Sequence, residues 1–511
     1  MPHFSRATFG LALPALFLSQ AAWADLTPSE VWGNWRNSLE NSGYTVNATE
    51  NMNGPNLTVG DIQLTMPAQA DAAQVAVSLG TLTFNQKVDG TVEIVMPGAM
   101  PINVETAGTE DEEAVKFTLT YSQSGHMLMA SGTPQDITYD YSADSVGVML
   151  DQLQVGAESY GAQDAKVDLT ATDVKSVTSM QVGEMGDYTQ TGSIAALTYD
   201  VFLNNPEFVN NTEESNTLAL KGSMSEIVLN GDGAIPLNLD TTTDMAAMLR
   251  AGFDVSGEIT FGPGELEMAV TDPEGGDFTS NSAAADSMLA FSVGPQGIRY
   301  AGSQSQMAVN VKTDTLPFPL TFGMDEGSFD LAVPIASSED PQDFSFDLKL
   351  ADFMMSEMIW AMFDPEGQLP HDPTTLELGL SGEALVTASP MDPATRAQSM
   401  GEVQTLSIDT LRLDAVGAEL EGSGSVTLEN DDMATYGGFP KPVGTVNLML
   451  NGANALLDKL IAMGVVPNEQ AMGARMMLGV FAVPGETEDS LTSAIEFTED
   501  GQILANGKRV K

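Results

Sequence analysis

Val115-Lys116-Phe117-Thr118-Leu119-Thr120-Tyr121 alternates apolar and polar side chains without a break. Successive side chains of a strand point to opposite faces, so the stretch reads as a strand with one buried and one wet face. The same period of two recurs in Ile62-Gln63-Leu64-Thr65-Met66, Val75-Ala76-Val77-Ser78-Leu79, Phe344-Ser345-Phe346-Asp347-Leu348 and Leu406-Ser407-Ile408. Antiparallel sheets tolerate a solvated face, whereas buried parallel strands read as unbroken apolar runs. Asp89-Gly90, Asn230-Gly231-Asp232-Gly233 and Asp500-Gly501 supply turn signals. The expected fold is therefore mainly β within the α+β class: a large, elongated, mostly antiparallel sheet with a few short amphipathic helices.

One helix is marked at its start by Thr27-Pro28-Ser29-Glu30, a capping box with proline at the first helical position. Val31, Trp32, Trp35 and Leu39 share one face until Gly43, and only Arg36 adds positive charge nearby, so packing onto the sheet is expected over a membrane contact. Four times an alternating strand runs through a polar turn into an Asp or Asn and then a Met- or Leu-rich helix. These are Ile137 to Tyr141 then Asp144 to Leu150, Ile235 to Leu239 then Asp244 to Leu249, Phe344 to Leu350 then Asp352 to Phe363, and Val446 to Leu450 then Asn454 to Ile461. Asp144, Asp244, Asp352 and Asn454 would serve as N-caps, accepting from first-turn amides. Two explanations stay open: repeated strand-helix modules, or the ordinary alternation of an α+β chain.

The first residues read as an export signal. Arg6 gives a positive start, Phe9 to Leu18 an apolar core broken by Pro14, and Ala22-Trp23-Ala24 a small-residue cleavage site, leaving Asp25 as the mature N-terminus. Residues 1–24 are thus expected to be removed, 25–250 to form an N-terminal β-rich half and 251–511 a C-terminal β-rich half. No later segment approaches about 18 uninterrupted apolar residues, so no membrane span is expected in the mature chain. The expected location is the periplasm, or alternatively the medium. Lys plus Arg number 19 against 71 Asp plus Glu, and removing Arg6 makes the balance 18 − 71 = −53. Such a surface repels nucleic acid and anionic lipid. Hydrophobic residues at 42% are enough to bury a core, and with Cys 0 the chain folds without disulfides.

Catalytic equipment is sparse. Beyond His3 of the leader the histidines are His126 and His371, both expected in solvated loops, and no G-x-S-x-G elbow is present. Gly422-Ser423-Gly424 reads as a strand-end turn. Thiolate chemistry is impossible and a His-rich zinc site is not expected. Acid pairs for glycoside hydrolysis are too abundant to be informative. Asp272-Pro273-Glu274-Gly275-Gly276-Asp277 and Asn230 to Gly233 offer oxygens for calcium but not EF-hand spacing, and read as turns. No cofactor, metal or catalytic residue is expected. The candidate contact is apolar: Met354, Met355, Met358, Trp360 and Met362 crowd one short helix whose flexible thioethers suit a lipid or an apolar protein segment, although apolar residues nearly all round it favour a place over the β core.

Residues Phe353 to Ala384, FMMSEMIWAMFDPEGQLPHDPTTLELGLSGEA, contain Trp360, Phe363-Asp364-Pro365, Leu369-Pro370 and Asp372-Pro373 ahead of a Leu-alternating strand. With Pro440, Gly444 and the final Asp500-Gly501-Gln502-Ile503-Leu504, this resembles an uncharacterised exported alphaproteobacterial family, domain of unknown function 2125. The likeness is clearest from about Phe344 onward. The family is distantly similar to AsmA-like repetitive β proteins of the envelope, a fold-level analogy that implies no activity and transfers no catalytic residue. The leading expectation is an exported β-rich binding protein without catalytic activity, with lipid or an envelope protein as partner and an oligomeric state the sequence does not give. A structural or adhesive protein without ligand, and a carboxylate-dependent envelope glycan hydrolase, are the alternatives.

Overall fold

The structure is a computed structural model describing residues 26–41, 43–66, 74–107, 113–204, 216–237, 245–272, 275–389, 391 and 401–511. It opens with helix α1 (Pro28–Asn41). As the sequence predicts, the Thr27 N–H donates to Glu30 Oε2 at 2.8 Å and the Glu30 N–H to Thr27 Oγ1 at 3.3 Å. Strands β1 (Thr45–Asn53), β2 (Asn56–Met66), β3 (Val75–Leu79), β4 (Leu82–Gln86), β5 (Val92–Val95), β6 (Ala99–Thr106), β7 (Val115–Ser124) and β8 (Met127–Thr133) follow. Next come β9 (Asp136–Val155), β10 (Glu158–Tyr160), β11 (Ala165–Val182), β12 (Met185–Asn204), β13 (Thr217–Pro236) and helix α2 (Met245–Arg250). β14 (Asp254–Phe261), β15 (Gly264–Thr271), β16 (Phe278–Ala284), β17 (Asp286–Gly294), β18 (Gly297–Thr313), β19 (Leu320–Val333) and β20 (Gln342–Met355) lead to helix α3 (Glu357–Phe363). The last elements are β21 (Thr374–Val386), β22 (Gly401–Ala415), β23 (Ala418–Glu429), β24 (Lys441–Asn451), helices α4 (Ala453–Ala462) and α5 (Asn468–Phe481), and strands β25 (Val483–Pro484), β26 (Ser490–Phe497), β27 (Ile503–Ala505) and β28 (Lys508–Arg509).

All strands join one large antiparallel sheet in which chain neighbours are mostly sheet neighbours. Many of the shorter strands are halves of longer ones. β14 and β15 run one after the other along β13, with Gly262-Pro263 as the joint, and β17 and β16 lie likewise along β18 with Ala285 between them. β3 and β4 share β2 in the same way. Unbroken strands carry an extra residue at the matching place: Asp173 in β11 (φ 47°), Glu226 in β13 (φ 51°), Gln306 in β18 (φ 48°) and Asp352 in β20 (φ 54°). Opposite them the pairing passes over Asp144, Ala195 and Asp325.

These interruptions line up from Asp61 in β2 to Asp352 in β20, as a crease crossing the sheet perpendicular to its strands. An extra residue bends a strand, and by being skipped it keeps the apolar side chains on one face to either side. In β11, Leu169 and Ala171 precede Asp173, and Val174 and Met180 follow on the same face.

Several sequence expectations change at the crease. Residues 144–150 are not a helix but the middle of β9, because Val146 to Met149 pair with both β7 and β11. Asp144 and Asp352 are crease residues rather than N-caps, and α3 begins only after Ser356. Asn454 lies inside the first turn of α4, whose start is capped from far along the chain: Asp489 accepts from the N–H groups of Asn454 (3.1 Å) and Ala455 (2.9 Å). Asp244 is outside the described residues, although α2 is present after it. Asn230 to Gly233 is no turn but the interior of β13, paired with β12 and β14. Gly422-Ser423-Gly424 sits in mid-strand in β23 between β22 and β24. Strands on either side of residue 250 pair directly, so the sheet is continuous there.

Candidate functional site

At its N-terminal end the apolar face is covered by the chain itself. Leu26, Val31 and Trp32 lie against Leu57, Val59, Leu82, Phe84, Val92, Ile94, Leu128 and Ile137, all on the apolar face. Trp32 and Trp35 flank Phe84 with ring centroids 6.1 and 5.7 Å away. The polar edges of α1 are satisfied too: the Trp32 indole N–H donates to Glu50 at 2.9 Å, and the Tyr139 hydroxyl to Asn34 at 2.9 Å. The sheet-packing expectation for Trp32 is met.

Beyond β9 the same face continues but no helix fills the crease among the described residues. The two half-sheets instead form the walls of a trough. A cavity of 820 Å³ opens between them, lined from one wall by Tyr199, Met224, Leu266, Met307 and Met324 and from the other by Phe261, Leu289, Phe329, Leu348 and Leu350. Serines 280, 282 and 287, with Gln304, are among its polar lining, and Glu265 joins from the opposite side of β15. Large side chains lie flat across glycines of the next strand, smoothing the floor. A Cβ on Gly302 would meet Phe329 at 2.7 Å, and one on Gly257 would meet Phe291 at 2.6 Å.

Charge is held off this face. From β11 to β20 the inward register carries no Asp, Glu, Lys or Arg among the described residues, and the crease residues Asp173, Glu226, Gln306 and Asp352 are exposed and do not line the cavity. The ionic groups occupy the outer register, where Lys166 meets Asp200 at 2.7 Å, Lys349 meets Glu326 at 2.6 Å and Arg299 meets Asp330 at 3.0 Å. Lys166 holds the Asp200 carboxyl below the usual carboxylate range. Such pairs are solvated and add little stability, but they keep the outside wet and the inside uncharged. Leu289 is nevertheless 54% exposed and Phe329 42% exposed, large values for an inward sheet face.

The sequence singled out residues at the rim rather than the floor. Met354 and Met355 end β20, where Met355 pairs with Phe322, while Met358 and Met362 are exposed on α3. Trp360 is buried and stacks on His371, centroids 4.2 Å apart and planes at 8°. None of the five lines the 820 Å³ cavity. The leader residues Ala22 and Ala24 lie outside the described residues. Neither histidine is a plain solvated loop residue. His371 Nδ1 approaches Glu357 at 3.1 Å and its Nε2 lies 3.6 Å from Asp364. His126 sits in the crease between β7 and β8, where its Nε2 accepts the Met96 N–H at 3.3 Å. Burial tends to raise the Asp364 carboxyl, but the N–H groups of Gln368 and Leu369 and the His371 ring outweigh it, and the net pKa is lowered. Among the described residues no group of three or more His, Asp or Glu is placed to hold a metal, and no helix is long and apolar enough to cross a membrane.

The family model described as an uncharacterized protein conserved in bacteria (DUF2125) matches residues 249–507. The chain belongs to this family. No curated protein and no solved structure matches it. The DUF2125 match begins within α2 and takes in strands β14 to β27, hence much of both trough walls, while α1 and the strands it packs on lie outside it. It also contains a second apolar feature: α4 and α5 lean on the sheet over a 460 Å³ cavity lined by Leu450, Leu456, Leu460, Met477, Leu478 and Phe481.

The trough floor carries no cluster of methionines comparable to that of residues 354–362. Its signal was the period of two resuming after one extra residue, as from Met224 across Ser225-Glu226 to Ile227.

Proposed function

We propose that this DUF2125 protein is an exported binding protein without catalytic activity that holds an apolar ligand in the trough. The observation that carries this reading is the uncharged sheet face left open between its walls beyond α1. Elsewhere the chain covers that face, and contiguous exposed apolar surface of this kind is characteristic of ligand or partner sites. The leader with its Ala22 and Ala24 cleavage site supports work in the periplasm, or alternatively in the medium. A kinship with AsmA-like envelope proteins belongs to the same reading, supported only by the antiparallel architecture.

The test is to produce the full chain with its leader in a Gram-negative host, isolate the exported fraction and extract it with organic solvent. The expected result is a mature chain starting at Asp25 with apolar molecules co-purifying. Phe329→Glu is expected to release them without loss of sheet content by circular dichroism. An extract free of apolar molecules, together with failure of the purified protein to take up an apolar fluorophore, overturns the proposal.

A further inference from the structure

Helix α5 carries apolar side chains on two sides. Leu478 and Phe481 face α4 and the sheet across the 460 Å³ cavity. On the opposite side Met472 and Met476 are 67% and 68% exposed, and Val480 is exposed with them. Gly473 and Gly479 fall on the flanks of the same outward stripe, and a Cβ on either would meet no described atom within 4 Å. A surface helix ordinarily turns polar residues to water, so the stripe is a face without its partner. We propose that it pairs with α5 of a second copy of this chain, antiparallel and across a two-fold axis near Met476.

The helix is held with this stripe outward. Arg475 Nη2 donates to Asp458 at 2.6 Å and to the Asn454 carbonyl at 3.4 Å, both on α4. The Phe481 carbonyl accepts from Ser493 Oγ at 2.6 Å and from Asn506 Nδ2 at 3.0 Å. Pinned at its middle and its end, α5 cannot roll Met476 under.

The stripe matches itself when reversed. Met472 and Val480 lie four positions to either side of Met476, and Gly473 and Gly479 lie three. A two-fold contact has to be self-complementary, with residue i meeting j while j meets i. In an antiparallel pair Met472 meets Val480 of the second copy, and the glycines leave notches beside Met476 that let the helix axes approach.

Charge selects the same arrangement. With 19 Lys plus Arg against 71 Asp plus Glu, two copies repel wherever their acidic surfaces meet, so an uncharged stripe is where a self-contact can form. Glu469, one turn before Met472, is the charge nearest the stripe, since Arg475 is tied to Asp458. Antiparallel pairing about Met476 sets the two Glu469 positions about 21 Å apart along the helix, beyond the screening length of about 8 Å, whereas parallel pairing puts them side by side. A bilayer is the poorer partner, because interfacial helices carry free Lys and Arg and α5 has none. One helix of this length offers less than the about 800 Å² per partner of a stable interface, so the pair is transient, half-formed at about 10–100 μM.

The exported protein is followed by sedimentation velocity from about 1 to 200 μM at low and at high salt. A monomer–dimer equilibrium is expected, tighter at high salt because screening removes the repulsion between acidic bodies. Met476→Glu and Met476→Lys are expected to keep the parent's circular dichroism, to stay monomeric alone and to pair when mixed. In a chain without cysteine, Met476→Cys is expected to give a disulfide-linked dimer under mild oxidation, and Glu469→Cys is not. Monomer at every concentration overturns the proposal, as does a dimer that Met476→Glu leaves intact, or growth beyond the dimer. Flotation of the monomer with phosphatidylcholine vesicles, lost in Met476→Glu, assigns the stripe to a bilayer instead. The apolar-ligand reading of the trough is independent of all these outcomes, because α5 does not line it.

Discussion

One face of one sheet is packed shut in the region of Phe84 and open in the region of Phe329. Both regions have alternating strands and the same crease, yet Phe84 is 0% exposed and Phe329 42%. The difference is a helix: α1 covers the face at the first and no described helix covers it at the second. Burial along this sheet is therefore deepest where a helix covers it, over strands whose inward side chains are wholly apolar, and shallower where serines, glycines and Gln304 interrupt the lining.

The sharpest way to break this comparison is to truncate a ring in each region. Phe84→Ala is expected to cost about 3–5 kcal/mol, read by urea unfolding through the fluorescence of Trp32 and Trp35 beside it. Phe329→Ala, already part-solvated, is expected to cost under about 1 kcal/mol while weakening uptake of an apolar fluorophore several-fold. Equal losses of stability would mean the trough is an ordinary core. Next in size is the crease, which both regions share. Asp173→Val forces a β-branched residue into φ 47° and is expected to cost about 1–2 kcal/mol by thermal melting, with Asp173→Gly restoring or exceeding the parent. Thr27→Ala removes the α1 cap and is expected to cost about 1 kcal/mol, confined to the packed region and visible as faster amide exchange in α1.

The smallest effect is a pH dependence at the far end. Burial tends to raise the Asp489 carboxyl, but its hydrogen bonds from Ala455 and Asn454 and the nearby Arg475 outweigh it, and the net pKa falls below the ordinary 3.8. A lowered folded pKa gives stability that is present above the ordinary value and lost as pH falls through the folded one. Asp489→Asn is thus expected to melt lower than the parent at pH 7, the gap narrowing below about pH 4, while the melting of the Phe84 region stays the same in both proteins. A gap independent of pH would refute the charged cap.

Strands and the α1 cap were legible because each is encoded within a few residues: alternation for the first, Thr27 and Glu30 for the second. The crease was misread as N-caps at Asp144 and Asp352 because a single acidic residue beside an apolar run is the common signal of a helix start. In β9 the run Val146-Gly147-Val148-Met149-Leu150 has no clear period, so only its partners on β7 and β11 decide that it is a strand. The cap of α4 was unreadable for another reason, since Asp489 reaches Asn454 across the chain. The trough needed every strand's extra residue to be aligned before Tyr199 and Leu350, distant in sequence, could be placed in one cavity.

Because the crease recurs once per strand and neighbours in the chain are neighbours in the sheet, the molecule has the character of a gauge whose length can change without its bore. Inserting or deleting one hairpin would move the far end of the trough by about 9.6 Å, two strand spacings, and leave the cross-section as it was. Chains of different length would then differ in the length of this open face and not in its cross-section.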